Sequence, residues 1–241
     1  KLLKLISNKY LYKKKIIKVD KYLVPEFCKI NKFGKSKKVF SPGVVKPITG
    51  SGSRGVIYIK NNNEFNRINL QHNVYKKGAL LEKYIPGPEY AIDGWVFKKN
   101  FLFCCISEKK TSSKPYLLDK SLIINSKNKK IVNAGHYLIK KLIKIFKINN
   151  LPIHLEFKIS NRKPKIIDFS LRGAGFDVYT HIMSKIINQN TTKIQTRLIL
   201  NKKINIKKRT KKIFYLGFFF TKPGKIIDIT GINRIKKKIK N

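Results

Sequence analysis

The chain has 241 residues, with 55 Lys and Arg against 12 Asp and Glu, for a formal net charge of +43. Its length suits one large domain or two small lobes. No run reaches about 18 uninterrupted apolar residues, so the sequence predicts no membrane-spanning helix. The three cysteines, Cys28, Cys104 and Cys105, fit free thiols in a reducing compartment such as the cytoplasm better than a disulfide framework or a zinc site.

The positive charge makes nucleic acid the first partner to consider. Only seven of the basic residues are Arg, however, and Arg has the geometry that suits base readout and phosphate clamping. The Lys residues are spread along the whole chain, beside abundant Ile and Asn, as an AT-rich coding sequence would give. We therefore interpret the charge as compositional and expect no specific nucleic-acid partner, with a functional basic surface as the alternative.

A glycine-rich loop follows a helical lead-in over residues 1–24. A short strand, Val44 to Lys46, precedes the turn Gly50-Ser51-Gly52-Ser53-Arg54-Gly55, and a second strand, Val56 to Ile59, completes a predicted hairpin. Lys46 at the strand end can reach a phosphate, and the glycines let backbone N–H groups approach phosphate oxygens. No Lys-Ser/Thr follows the last glycine, so the loop is not a P-loop, and a plain hairpin turn is the alternative.

The next predicted strand, Ala79 to Tyr84, ends at a Pro-Gly-Pro turn with Glu82 and Glu89 on either side. We predict that backbone amide and carbonyl groups at this strand end read adenine, and that the carboxylate seven residues later accepts from ribose hydroxyls. A surface turn with solvated charges is the alternative. Lys109, after the predicted strand Phe101 to Ser107, is a weaker candidate for an extra phosphate contact.

Residues 108–130 read as a loop, and residues 131–148 have helical spacing. The two strands that follow, residues 151–159 and 165–169, are joined by a turn at residues 160–164. Alternation gathers the polar side chains of each strand on one face: His154 and Glu156 on the first, and Asp168, Ser170 and Arg172 on the second. Two carboxylates suit magnesium and a guanidinium suits a transferring phosphoryl group, whereas a surface salt bridge is the alternative.

The rest of the chain predicts a helix over residues 176–187, a basic loop over 201–213, a strand over 214–221 and a further extended stretch over 225–229. Taken together, the pattern is that of an α+β protein with several antiparallel hairpins. We expect a lead-in and small lobe over residues 1–84, a large lobe with the metal hairpin over 85–200, and C-terminal strands with a basic tail over 201–241.

These motifs, in this order, resemble the ATP-grasp superfamily over about residues 7–232. Within it the resemblance points to the carbamoyl-phosphate-synthase-like and carboxylate–amine ligase branch. It implies two lobes of antiparallel sheet plus helices, with ATP bound between them. It also implies that most of the α/β domain usually found before this region is missing. Together with the absence of an initial Met, this suggests a fragment or a processed product.

The resemblance implies ATP and Mg²⁺ or Mn²⁺ as cofactors, and it assigns roles to the motif residues. Lys9, Lys46 and the closing loop Gly50–Gly55 would contact the phosphates, and Arg172 would lie near the transferred phosphate, with Lys46 and Arg172 as catalytic groups. The adenine would be contacted by Glu82, Lys83, Tyr84 and Ile85, and the ribose by Glu89. The metal would be bound by Glu156, Asp168 and Ser170. The family usually has Glu at position 168 and Asn at position 170, so the reach of these two ligands is altered here.

The activity that the resemblance implies is an ADP-forming ligase reaction. A small-molecule carboxylate attacks the γ-phosphate of ATP, and an amine, or a thiol-type acceptor, then displaces phosphate from the acyl phosphate. The alternatives are a carbamoyl-phosphate-synthase-like enzyme that acts on carboxyphosphate, and a non-enzymatic basic nucleic-acid-binding protein with a degenerate nucleotide fold. We expect no membrane association, and assembly into a homo-oligomer stays open.

Overall fold

A computed structural model describes residues 1–30, 39–125, 128–206, 210–218, 220, 224–225, 227–228 and 230–232. Its helices and strands are α1 Leu2–Ile6, α2 Lys9–Ile17, β1 Phe27–Ile30, β2 Gly43–Pro47, β3 Ile57–Ile59, α3 Asn62–Asn66, β4 Ala79–Lys83, β5 Glu89–Phe97, β6 Asn100–Thr111, β7 Asp119–Ile124, α4 Lys129–Phe146, β8 Leu151–Ser160, β9 Lys163–Ser170, α5 Met183–Ile187, α6 Thr191–Ile199 and β10 Phe214–Gly217. No helix within the described residues is long and apolar enough to cross a membrane.

The smaller sheet has four antiparallel strands in the order β1-β4-β2-β3. The hairpin predicted around the glycine-rich loop is confirmed, since β2 pairs with β3 and Val44 lies opposite Tyr58. Val45, Ile59 and Leu81 pack with neighbouring apolar side chains into a core of their own. This packing fixes the end of β2, from which Lys46 extends.

The larger sheet has six strands in the order β10-β7-β6-β5-β8-β9. The amphipathic helix α4 packs against it, with Leu138, Ile139 and Leu142 buried among residues of β5, β8 and β9. A second apolar cluster, around Trp95 of β5, includes residues of α5 and α6. Two antiparallel sheets with packed helices confirm the predicted α+β class.

Part of the predicted secondary structure was wrong. The segment read as a loop over residues 108–130 contains the end of β6, the whole of β7 and the start of α4. Strand β7 begins with polar residues, and its apolar character is confined to a short run in which Leu122 and Ile124 are buried. The strand forms because β6 and β10 pair with it on either side, which the local sequence does not specify.

Two further differences concern the C-terminal part. Helix α6 was not predicted, and a π-helical turn at Val178–Ile182 precedes α5 inside the single helix expected there. Strand β10 ends at Gly217 and pairs with β7, so residues beyond position 200 contribute a strand to the larger sheet. Much of the extended stretch predicted over 225–229, and part of residues 214–221, lies outside the described residues.

The two sheets are joined by backbone contacts as well as by the chain itself. The Lys9 N–H of α2 donates to Ile48 O at 2.9 Å, and the Tyr58 N–H of β3 donates to Pro115 O at 2.8 Å. Tyr12 and Ile16 of the same helix pack in the core of the larger sheet. Helix α2 therefore contacts both sheets and lies at the back of the space between them.

Candidate active site

A cleft of about 840 Å³ lies between the two sheets. This volume is within the usual range of small-molecule sites, about 300–1,000 Å³. Every residue predicted from the sequence as a site residue lines it, except Gly55. Gly55 instead faces Val74 and Pro47, and its carbonyl accepts from the Tyr75 hydroxyl at 2.8 Å. The fold thus brings motifs from four separate parts of the chain to one place.

The glycine-rich loop covers one edge of this cleft. Gly50, Gly52 and Gly55 all have positive φ, at 135°, 66° and 71°, which explains why glycine suits these positions. A Cβ atom at Gly50 or Gly52 would meet no atom within 4 Å, so the loop leaves open space above the cleft. The ammonium of Lys9 donates to Gly50 O at 3.1 Å and ties the loop to α2.

The strand pairing predicted for the β8–β9 hairpin is confirmed as far as Ser170, whereas Arg172 lies beyond the end of β9. Glu156 of β8 lies directly opposite Asp168 of β9, and His154 lies opposite Ser170. All four residues line the cleft. The Ser170 Oγ atom is buried and has no hydrogen-bond partner within the described structure. Two facing carboxylates and an unsatisfied hydroxyl form a set of hard oxygen donors that fits magnesium.

The hairpin offers an incomplete ligand set for a metal on its own. Among the described residues, no group of three or more His, Cys, Asp and Glu side chains is arranged to hold an ion. Magnesium commonly binds through one or two carboxylates and fills its other positions with phosphate oxygens and water. The arrangement therefore fits a magnesium that arrives with a phosphate ligand better than a closed structural metal site.

Each of the two facing carboxylates forms an ion pair with the ammonium group of a lysine. Lys9 Nζ lies 2.8 Å from Asp168 Oδ2, and Lys109 Nζ lies 2.7 Å from Glu156 Oε1. Burial opposes ionisation of both acids, but the attraction of Lys109 holds the pKa of Glu156 well below its ordinary value, and that of Lys9 lowers the pKa of Asp168. Both acids are therefore carboxylates at neutral pH, as metal ligands must be.

Lys109 is the centre of a wider ion cluster. Its ammonium contacts three carboxylates, at 2.9 Å from Glu89, 3.1 Å from Asp119 and 2.7 Å from Glu156. Burial disfavours the charge of Lys109, but the three carboxylates outweigh it and raise its pKa well above the ordinary value. Burial raises the pKa of Asp119, and repulsion from Glu156 and Glu89 adds to the rise, against the attraction of Lys109. The cluster thus holds more negative than positive charge.

A second cluster joins the two lysines Lys13 and Lys46 to Glu82. Lys46 Nζ lies 2.8 Å from Glu82 Oε2, and Lys13 Nζ lies 3.2 Å from Glu82 Oε1. Burial opposes the Glu82 charge, but the two ammonium groups together lower its pKa. Each oxygen of Glu82 therefore lies within ion-pair distance of an ammonium, although Oε1 accepts no hydrogen bond within the described structure.

The segment predicted to bind adenine, residues 82–85, runs along the cleft wall. The Lys83 N–H donates to Glu26 O at 2.9 Å, and the Tyr84 N–H donates to Pro42 O at 3.1 Å. The Ile85 carbonyl accepts from Lys158 Nζ at 3.2 Å. The Lys83 side chain is exposed, so it is the member of the segment least enclosed by the protein.

Arg172 follows β9 at the open side of the cleft. Its guanidinium is exposed and donates to Gly173 O at 2.8 Å. In the described part of the chain it pairs with no carboxylate, so the surface salt bridge considered from the sequence does not form there. Arg172 lines the same cleft as the hairpin carboxylates.

The sequence reasoning missed three features of the cleft region: the buried Lys13, the acid Asp119, and a pair between His154 and Asp93. His154 Nδ1 lies 2.8 Å from Asp93 Oδ1. Burial opposes the charged ring, but Asp93 outweighs it and raises the pKa of His154 to about 10. The pairing depends on the register of β5 against β8, which no local pattern in the chain reveals.

Comparison with known proteins agrees with this fold. Residues 39–180 match the model of the ATP-grasp domain family. A comparison with curated proteins found no match. Among solved structures, an L-amino acid ligase from Bacillus licheniformis is similar, with a TM-score of 0.66 and 22% identity over 82% of this chain and 48% of that one.

Two other similar structures contain nucleotide. N5-carboxyaminoimidazole synthetase from Staphylococcus aureus complexed with ADP has a TM-score of 0.69 and 14% identity, over 88% of this chain and 56% of that one. The biotin carboxylase domain of Hydrogenobacter thermophilus 2-oxoglutarate carboxylase, in complex with MgADP, has a TM-score of 0.64 and 17% identity, over 83% and 47%. The chain spans about half the length of these structures, and at such identities the likeness shows the fold. Because the family match covers more than half of the chain, this protein belongs to the ATP-grasp domain family.

Proposed function

We propose that this chain is the nucleotide-binding body of an ADP-forming ligase, which uses ATP and magnesium to activate a small-molecule carboxylate as an acyl phosphate. An amine would then displace phosphate and form a C–N bond. The observation that carries this proposal is the pair of facing carboxylates, Glu156 and Asp168, in a cleft that Lys9, Lys46 and the glycine-rich loop also line.

The roles follow from where each group lies. Lys9 and Lys46 would bind phosphates, under backbone N–H groups of the Gly50–Gly55 loop. The backbone at residues 83–85 would contact adenine and Glu89 the ribose, while Arg172 would lie near the transferred phosphoryl group. Magnesium held by Glu156, Asp168 and Ser170 would neutralise charge that develops on the phosphates.

The present ion pairs support this assignment. The ammonium groups of Lys9 and Lys109 each sit on one hairpin carboxylate, so this end of the cleft already stabilises cations. If Glu156 and Asp168 held magnesium, the Lys9 ammonium would be free to pair with phosphate oxygens instead of with Asp168. The same exchange would leave Lys109 with Glu89 and Asp119, so its buried charge would keep partners.

The finer parts of the assignment are predictions. They are the use of Mn²⁺ in place of Mg²⁺, the division of the chain near residues 84 and 200, and a cytoplasmic location.

The decisive experiment measures ATP binding by calorimetry, with and without Mg²⁺, for the wild type and Glu156→Gln. We expect Mg²⁺ to tighten binding in the wild type and to have little effect in the variant. Glu108→Gln is a suitable control, because Glu108 neighbours Lys109 on β6 but its side chain points to the opposite face of the sheet. Wild-type protein that binds no ATP at millimolar concentration would refute the proposal. ADP release that requires one member of a panel of carboxylates would then identify the substrate class.

A further inference from the structure

Lys13 is a charged side chain buried inside the protein. It is 0% exposed and does not line the cleft, whereas Lys46 does. Its ammonium reaches Glu82 Oε1 at 3.2 Å and donates to Ile167 O at 3.2 Å. Lysine is almost never fully buried unless it is paired, so this position calls for an explanation beyond general composition.

Among the described residues Glu82 has two lysine partners, of which Lys46 lines the cleft and Lys13 does not. Lys46 approaches Glu82 from the cleft side at 2.8 Å, and Lys13 approaches from α2 behind it. If Lys46 transfers its ammonium to a nucleotide phosphate, Glu82 loses one of the two charges that stabilise it. Because Glu82 is 1% exposed, water compensates little for the lost partner.

We propose that Lys13 is a positioning residue that keeps the Glu82 carboxylate paired, so that Lys46 is free to bind a nucleotide phosphate. The inference rests on the proposed nucleotide function. Lys13 touches no substrate in this scheme; it acts through Glu82 and through the Ile167 carbonyl, which Lys46 also contacts at 3.3 Å.

The charges around Lys13 agree with this role. Burial lowers the pKa of Lys13 to about 8, with the attraction of Glu82 opposing the shift and the repulsion of Lys46 adding to it. The side chain is therefore mostly protonated at neutral pH. When the Lys46 ammonium pairs with a phosphate, its repulsion of Lys13 is partly neutralised, which favours the charged form of Lys13 further.

The test compares Lys13→Met with Lys14→Met, since Lys14 is exposed on the same helix. Calorimetry with ATP and Mg²⁺ at pH 7 should show that Lys13→Met binds ATP at least about tenfold more weakly than the wild type, as loss of one partner of a buried charge pair predicts. Lys14→Met should bind as the wild type does. Equal affinities for Lys13→Met and the wild type would overturn the inference alone, whereas wild-type protein that binds no ATP would overturn the proposed function with it.

A second pair of variants separates charge support from packing. In Glu82→Gln the buried carboxylate is gone, so adding Lys13→Met should change the ATP affinity by less than about twofold. A role in packing alone predicts the same loss in both backgrounds, and that result would overturn the inference. The comparison of Glu82→Gln with the double variant also decides the question if Lys13→Met alone fails to fold, because a tenfold difference there would contradict the proposal.

Discussion

Replacing Lys109 by Met tests the electrostatic account of the cleft most directly. The substitution keeps most of the side-chain volume and removes the ammonium shared by Glu89, Asp119 and Glu156, while Lys158 stays 4.0 Å from Glu89. Breaking a buried ion pair by removing one partner costs about 3–5 kcal/mol. The three carboxylates retain 12–24% exposure, so water recovers part of this cost. We expect the free energy of unfolding to fall by about 3 kcal/mol, toward the lower end of that range.

Urea unfolding at pH 7.5 in EDTA measures the effect, with Lys110→Met as the control, because Lys110 is the exposed neighbour on the same strand. Millimolar Mg²⁺ should restore more stability to Lys109→Met than to the wild type, since a divalent cation can take the place of the ammonium between the carboxylates. An equal loss of stability in the two variants would refute the reasoning, and so would a lack of response to Mg²⁺.

Three other predictions concern separate features. The pKa of His154 is raised from 6.5 to about 10 in the folded protein, so the stability that its charge contributes should be fully present below about pH 6.5 and lost as the pH rises through about 10. The free energies of unfolding of the wild type and His154→Asn, measured in EDTA across this range, should therefore converge at high pH. A difference that stays constant with pH would contradict the prediction. Gly94→Ala would place a Cβ atom in steric overlap with Leu102 O, so it should lower the free energy of unfolding by about 1–3 kcal/mol. Gly175→Ala, whose Cβ would meet no atom within 4 Å, should not, and equal effects of the two variants in urea unfolding would argue against the close approach. Binding to duplex DNA should be weak and salt-dependent, with Kd on the order of 10⁻⁴–10⁻⁶ M, and a nanomolar sequence-selective site in a titration would show that the basic surface is functional.

The pairing of β8 with β9 could be predicted from the sequence because its determinants are local. Alternation decides which side chains share a face, and a short turn brings the second strand back beside the first. These two rules suffice to predict that Glu156 and Asp168 are neighbours, and the pairing of β8 with β9 places them directly opposite each other. The glycine-rich loop was predictable for a similar reason, since positive φ at Gly50 and Gly52 favours glycine itself.

Other parts of the site depend on contacts between distant segments. Lys13 meets Glu82, and Asp93 meets His154, through the packing of α2 and the register of β5 against β8. In a chain with 55 basic residues, a single Lys carries almost no information by itself. Burial alone separates Lys13 from the exposed lysines of the same helix, and burial is a property of the tertiary fold.

The distribution of the acidic residues bears on what the large positive charge means. Six of the 12 acids line the cleft between the sheets: Glu82, Glu89, Asp93, Asp119, Glu156 and Asp168. Eight Lys and Arg side chains of the described residues line it with them, so this part of the cleft is close to balance while the chain as a whole carries +43. A surface built to bind nucleic acid would instead concentrate unpaired cations along a groove. Paired charges in an enclosed cleft favour a ligand that brings both signs, and a nucleotide with its magnesium ion is such a ligand.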